Sequence, residues 1–395
     1  MNPEERRQWI AEEFERRFGT LPELWTRAPG RVDLMGSHTD YNDGFVLTTT
    51  IDRDTWVAAR PRTDRVVRVF SLNSDDGGEF QLGAIQRDPD HAWVNYVRGM
   101  AQVFQEADFA LQGFDGILHT TVPVASGLSS SAALEMAVGR MFEAVSGWSI
   151  DPVALALLGQ RAENHFVGVN CGILDQYTSA MGRAGCALLL DARAVTSRDV
   201  PMAPGIHVVI CDTRAKRALA SSQYGIRRAQ CEEGALILSA AIPHVTALRD
   251  LSLAQFMAHT SDLDPIVAMR CRFIVEENAR VLALADALPA GDRARIRMLT
   301  AASFAGARDL YAIVVPEMEA MMAAMLSGPG IIGARQAGAG FGGCMVAFVE
   351  SGESDAFAAH VQHAYQSATG LEASVYAVAA SDGAGVMGGA GERED

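Results

Sequence analysis

Apolar residues along this chain fall into two rhythms, and the changes between them divide it into elements. Residues 4–18 place apolar positions at helical spacing among charges and stop near Gly19, the pattern of an amphipathic surface helix. Apolar runs at 45–51, 56–61 and 65–72 predict strands, followed by turn residues at 73–78. Helical spacing returns at 91–107. A β-like run at 116–122 then leads through Pro123 and a small-residue loop into a helix over 130–145, and a second helix covers 152–166. Strand-like runs at 186–191 and 206–212 flank a polar stretch holding Pro201 and Pro204, which predicts a domain boundary near 195–205. Beyond it lie a basic helix with Tyr224, Arg227 and Arg228, helices over 270–287 and 298–311, and another from Pro316 to near Gly328. A Gly-rich turn then opens a strand at 344–349. The expected organisation is an N-terminal domain over 1–200, a C-terminal domain over 201–380 and a flexible, Gly-rich tail over 381–395.

Composition narrows the choice. At 395 residues, 49% hydrophobic and 21% charged, the chain can bury a sizeable core. A net charge of −15 argues against general affinity for nucleic acid or an anionic membrane, because both need basic surfaces. It leaves room for a small anionic ligand held by local N–H groups. No apolar run is long enough to span a bilayer, and the charged first 18 residues are not a signal peptide. The six cysteines are scattered without Cys-x-x-Cys pairs, so they read as reduced thiols of a cytoplasmic protein.

Four polar stretches interrupt the apolar pattern. Residues 27–44 crowd Arg31, His38, Asp40, Tyr41 and Asn42 between Gly30, Gly36 and Gly44, and tight glycine turns can aim such groups into one pocket. Residues 123–135 form a serine-rich loop opening a helix. Its N–H groups and dipole suit an anion, although a plain serine N-cap explains the composition as well. At 168–177, Asp175 follows a Gly-rich bend and is either a helix-capping carboxylate or a catalytic one. Residues 336–343 hold four glycines before a strand, marking a backbone that turns tightly or touches a ligand. Trp93 and Tyr96 share a helix face and suit either base stacking or core packing. A Walker-type phosphate loop and the protein-kinase motifs are absent.

In order, these stretches resemble the signatures of the GHMP kinases (galactokinase, homoserine, mevalonate and phosphomevalonate kinases). The segments Cys171-Gly-Ile-Leu-Asp-Gln and Ala220-Ser-Ser-Gln-Tyr-Gly-Ile-Arg-Arg point to the galactokinase branch. The resemblance implies an α+β, two-domain GHMP kinase fold: a ribosomal S5 domain 2-like N-terminal domain, a ferredoxin-like C-terminal domain, and an active site in the cleft between them. It implies an ATP-dependent sugar kinase that phosphorylates the anomeric hydroxyl of galactose or a close relative, working as a monomer or weak homodimer. In that reading Asp175 is the base and Arg31 its neighbouring cation. Ser37, His38, Asp40, Gly172 and Tyr224 contact the sugar. Trp93 and Tyr96 flank the adenine, and Ser126, Gly127, Leu128, Ser129, Ser130 and Ser131 cradle the triphosphate. Ser131 and Glu163 hold Mg2+.

The chain departs from the family pattern at several positions. Galactokinases usually carry glutamate where Ser37 stands, asparagine at Asp33, proline at Thr48 and threonine at Ala337, and the run expected before Arg308 reads Ser303-Phe-Ala-Gly-Ala. A serine at 37 implies a smaller, wetter space near the sugar's 6-hydroxyl. That raises a galacturonate or L-arabinose 1-kinase as the alternative, with a non-catalytic sugar and ATP sensor behind it.

Overall fold

The structure, a computed structural model, describes residues 1–124, 126–215 and 220–388. It divides into two compact units that are discontinuous in sequence. One comprises Met1–Arg31, Thr50–Gly182 and the chain from Ser381, and the other Val32–Thr49 and Arg183–Ala380. The contiguous halves expected around residue 200 are therefore not the units observed. The strands Leu24–Met35 and Phe45–Arg62 each contribute to both units, so no single cut of the chain separates them.

In the first unit the helix Pro3–Phe18 begins with a capping box on Asn2 and ends at Gly19 in the left-handed conformation. Its Ile10 and Phe14 bury against Trp25, Trp56 and Ile117. Residues 55–62 pair antiparallel with the strand Gly113–Thr120. That strand lies parallel to Val66–Ser71, which forms a hairpin with Asp76–Gln81. The runs predicted at 45–51 and 56–61 are one 18-residue strand, Phe45–Arg62, which continues through exposed Asp52 and through Asp54, buried against Arg6 and Arg27. Four helical segments follow: Val94–Glu106, Ser130–Ser146, Pro152–Arg161 and Leu174–Met181. Residues 381–388 are no free tail. Ser381 N–H donates to Thr50 Oγ1 (3.0 Å), and residues 385 and 386 pair with Arg27 and Thr26. The expectation for residues 389–395 lies outside the described residues.

In the second unit residues 45–48 pair with Cys186–Asp191, which pairs in turn with Thr196–Pro201. The polar stretch read as a domain boundary is thus a strand whose side chains are mostly exposed, with Val200 buried. A four-stranded antiparallel sheet runs in the order Ser374–Val378, Ile206–Asp212, Cys344–Glu350, Ile331–Gln336. The helices Pro316–Leu326 and Ser354–Thr369 bury Met318, Met321, Phe357 and Val361 on it. The helices Ala220–Ala241, Pro265–Ala290 and Arg293–Asp309 enclose a second core around Cys271, Phe273 and Tyr311. All six cysteines are free, and among the described residues no helix is long and apolar enough to cross a membrane.

Candidate active site

In the first unit, the strand Leu24–Met35 brings Arg31 to the serine loop and to the helix Leu174–Met181. Arg31 Nε donates to Asp175 Oδ1 (2.8 Å) and its Nη2 donates to the same oxygen. Arg31 Nη1 reaches Gly127 O (2.7 Å), and its backbone N–H reaches Leu128 O (3.1 Å). The approach needs Gly30: a Cβ there would meet Leu128 O at 2.7 Å and Val122 at 2.9 Å. Asp175 occupies the first turn of its helix, where the dipole favours a carboxylate. Its other oxygen, Oδ2, accepts from Ser129 Oγ (2.5 Å). Ser129 sits at the N-cap of Ser130–Ser146 with φ +59°, and its side chain makes no capping hydrogen bond. Ser126 Oγ donates to Pro123 O (2.8 Å), which shapes the loop. Ser130 and Ser131 are half-buried on the first turn.

Behind this cluster lies a second group of carboxyls. Glu163 sits in a π-helical turn, Ala162–Val167, that continues Pro152–Arg161 and closes on Gly168. Ser131 and Cys171 hydrogen-bond its carboxylate, and Gln176 Nε2 donates to Glu163 Oε2 (2.7 Å) and Glu135 Oε2 (2.9 Å). Burial, and then the charge of Asp175, raise the pKa of Glu163. Burial, and then Glu163, raise Glu135 well above the usual range. Glu135 Oε1 and Gln176 Oε1 are buried without hydrogen-bond partners. A hydroxyl and a carboxylate crowded by other carboxyls fit a hard divalent ion that takes its remaining ligands from water and phosphate. Among the described residues no set of three or more His, Cys, Asp or Glu forms a self-sufficient metal cage. Tyr96 is half-buried, and its pKa is raised by burial and then by Glu163 and Glu135. Trp93 Nε1 donates to Asp76 Oδ2 (3.1 Å). Gly172 lies in the bend before Asp175.

In the second unit, His38, Asp40 and Tyr224 come together around the tight segment 36–44. His38 adopts φ +70° and is 4% exposed. Its Nε2 lies 3.0 Å from Ala339 O, a pure acceptor, so Nε2 carries the proton and Nδ1 accepts from Tyr41 OH (2.8 Å). Tyr41 OH meets Tyr311 OH at 2.7 Å. The Tyr224 ring lies 5.3 Å from His38 and 5.2 Å from Tyr41. Burial lowers the His38 pKa to about 4, partly offset by the bond to Ala339, and keeps the ring neutral. Asp40 is half-buried at the start of the 3-10 turn Asp40–Asn42.

Ser37 stands in a wholly buried ionic knot. Ser37 Oγ donates to Asp33 Oδ2 (2.5 Å) and accepts from Arg335 Nη2 (3.0 Å). Arg335, fully buried, also donates to Ser303 Oγ (3.0 Å) and Glu277 Oε1 (3.2 Å). Ser303 Oγ and Gly36 N–H donate to the same Glu277 oxygen. Burial alone would raise Glu277, but the charges of Arg280 and Arg335 hold its pKa below the ordinary value.

The galactokinase galactose-binding signature matches residues 12–61, the GHMP kinase N-terminal domain residues 95–183, and the GHMP kinase C-terminal domain residues 284–367. A galactokinase of Chloroflexus aggregans is 45% identical over 357 residues, covering 90% of this chain and 92% of that one. The chain belongs to the galactokinase family. A galactokinase of a Roseiflexus species is 44% identical, with 95% of this chain and 96% of that one covered. The crystal structure of Lactococcus lactis galactokinase complexed with galactose matches with a TM-score of 0.91 at 33% identity, over 95% of this chain and 98% of that one. A mevalonate kinase at a TM-score of 0.61 and 13% identity shares the fold alone. The protein is accordingly a sugar kinase of the GHMP fold, mixing helices and sheets as the motifs implied.

One expectation needs correction. Position 37 is not a wet gap: the serine is 2% exposed and locked between a carboxylate and a guanidinium. The Ser129 hydroxyl, expected at the triphosphate, donates to Asp175 Oδ2. Sequence reasoning also gave no role to Gln176, Arg335, Glu277 or Tyr311. The available signal was a charge or amide set inside an apolar run, as with Arg335 between Ala334 and Ala337, because such a group needs buried partners.

Proposed function

We propose that the protein transfers the γ-phosphoryl group of ATP to the anomeric hydroxyl of galactose, with Asp175 as general base. The observation that carries this reading is the Asp175 carboxylate, held by Arg31 and Ser129 where the serine loop enters its helix. The sugar hydroxyl gives its proton to Asp175 while its oxygen bonds to the γ-phosphorus, and the β–γ bridging oxygen leaves with its electron pair as ADP. Arg31 keeps the carboxylate charged and offsets negative charge on the transferring group. Loop N–H groups and the helix dipole receive the triphosphate. Trp93 and Tyr96 flank the adenine, and the segment 36–44 with Tyr224 receives the sugar. Ser131 and Glu163 are the residues to hold Mg2+, which when bound neutralises phosphate charge.

The galacturonate and L-arabinose readings rested on an open space at Ser37 and are not favoured: the serine is packed, and the similar proteins are galactokinases over nearly their whole length. A non-catalytic sensor has no need of the Arg31–Asp175 pair. An ADP-release assay over galactose, galacturonate, L-arabinose, N-acetylgalactosamine, glucose and mannose tests the proposal. Galactose is expected to exceed every other sugar by at least about tenfold, the discrimination that buried polar contacts supply. Preference for another sugar, or turnover of none, overturns it.

A further inference from the structure

We propose that Ser129 is a positioning residue for the Asp175 carboxylate, not one more hydroxyl for the triphosphate; the inference rests on Asp175 acting as base. Two independent features of the loop support it. The first is the bond itself: Ser129 Oγ lies 2.5 Å from Asp175 Oδ2 and the residue is 8% exposed. The second is backbone conformation. Ser129 holds φ +59°, a left-handed geometry that glycine adopts freely and serine resists. An N-cap serine usually earns its place by capping, yet the side chain of this one makes no capping bond. The strained geometry therefore aims the hydroxyl across at Asp175.

The consequence for the proton is directional. A carboxylate oxygen offers two lone pairs. Two Arg31 N–H groups occupy Oδ1, and Ser129 takes one lone pair of Oδ2. The acceptor left for the sugar hydroxyl is the second lone pair of Oδ2. Residues 127 and 128 bond Arg31 while 129 bonds Asp175, so the loop that receives nucleotide also fixes the plane of the base.

Ser129→Gly separates this role from a structural one, because it removes the hydroxyl while relieving the backbone; Ser129→Ala removes the hydroxyl and keeps the strain. Both variants and the wild type are assayed for kcat, for KM of ATP and sugar, and for Tm, using whichever sugar the wild type phosphorylates best. A failure of galactose as substrate then leaves the test of Ser129 standing. The expected result is kcat lowered roughly ten- to a hundredfold in both variants, as for a misplaced catalytic group. Both KM values should stay within about twofold, and the Tm of the glycine variant should not fall below that of wild type. A raised KM for ATP at unchanged kcat would assign the hydroxyl to phosphate and overturn the proposal. Unchanged kinetics in both variants would overturn it too. Wild-type protein that phosphorylates none of the sugars overturns both this inference and the function it rests on.

Discussion

The clusters around Asp175 and around Arg335 use the same ingredients, arginine, carboxylate and serine hydroxyl, to opposite ends. At Asp175 the carboxylate side chain keeps 25% of its surface exposed and one oxygen direction unclaimed. At Arg335 nothing is exposed, and the guanidinium is shared among Asp33, Ser37, Glu277 and Ser303. The first arrangement can meet a substrate. The second can only hold the segment that carries His38 and Asp40, since a fully desolvated ion set loses more from a missing partner than it gains from the pairing. Chemical likeness alone does not mark a reacting group; residual access does.

Four substitutions or titrations probe that contrast, the largest effect first. Asp175→Asn is expected to lower kcat by about 10²–10⁴-fold with ATP binding retained, read by steady-state kinetics and nucleotide titration. Near-wild-type turnover would place the base elsewhere. Arg335→Met removes the guanidinium beside buried Asp33 and one of the two beside buried Glu277, and should cost roughly 3–5 kcal/mol of stability in denaturant unfolding. If only activity falls, the knot is not the scaffold described here.

The third probe is pH. The His38 pKa falls from 6.5 in the open chain to about 4 in the fold. Between those values the unfolded chain binds the extra proton, so the contribution is intact above the ordinary pKa and is lost as pH falls toward the folded one. The loss approaches about 3 kcal/mol. Unfolding measured from pH 7 to pH 4.5 should therefore be steeper for wild type than for His38→Gln; equal slopes would refute the assignment. The smallest effect concerns position 37. Ser37→Glu adds a third carboxylate beside Asp33 and Glu277 and should cost roughly 2 kcal/mol, less than losing Arg335 because protonation relieves it. Asp33→Asn in the same chain should recover most of that loss in Tm. Absence of recovery would mean the two positions are not coupled.

The asymmetry also explains what was legible in the sequence. Arg31, the serine loop and Asp175 could be grouped because each lies in a short motif whose residue types suit the same chemistry. The knot could not: Asp33, Ser37, Glu277, Ser303 and Arg335 come from four distant segments. Ser37 read alone suggested a vacancy, when Asp33 four residues earlier already supplied a carboxylate. The strand Thr196–Pro201 was hidden because one face points to solvent and Val200 alone anchors it. Helix limits were recovered where caps exist, as at Asn2, Gly19 and Gly147. The units were not, since two strands pass through both.

The π turn at Ala162–Val167 ties the site to arithmetic as well as to residue identity. A π turn is an α-helix that has taken in one extra residue, and losing that residue lets the turn close to regular α geometry, in which the residues of the turn take new directions. Deleting Ala162 would leave every proposed ligand in the chain yet carry Glu163 out of line with Ser131 and Gln176. Evolution can exchange amino acids around this carboxylate one at a time, but it cannot change the length of the helix here without giving up the partnership.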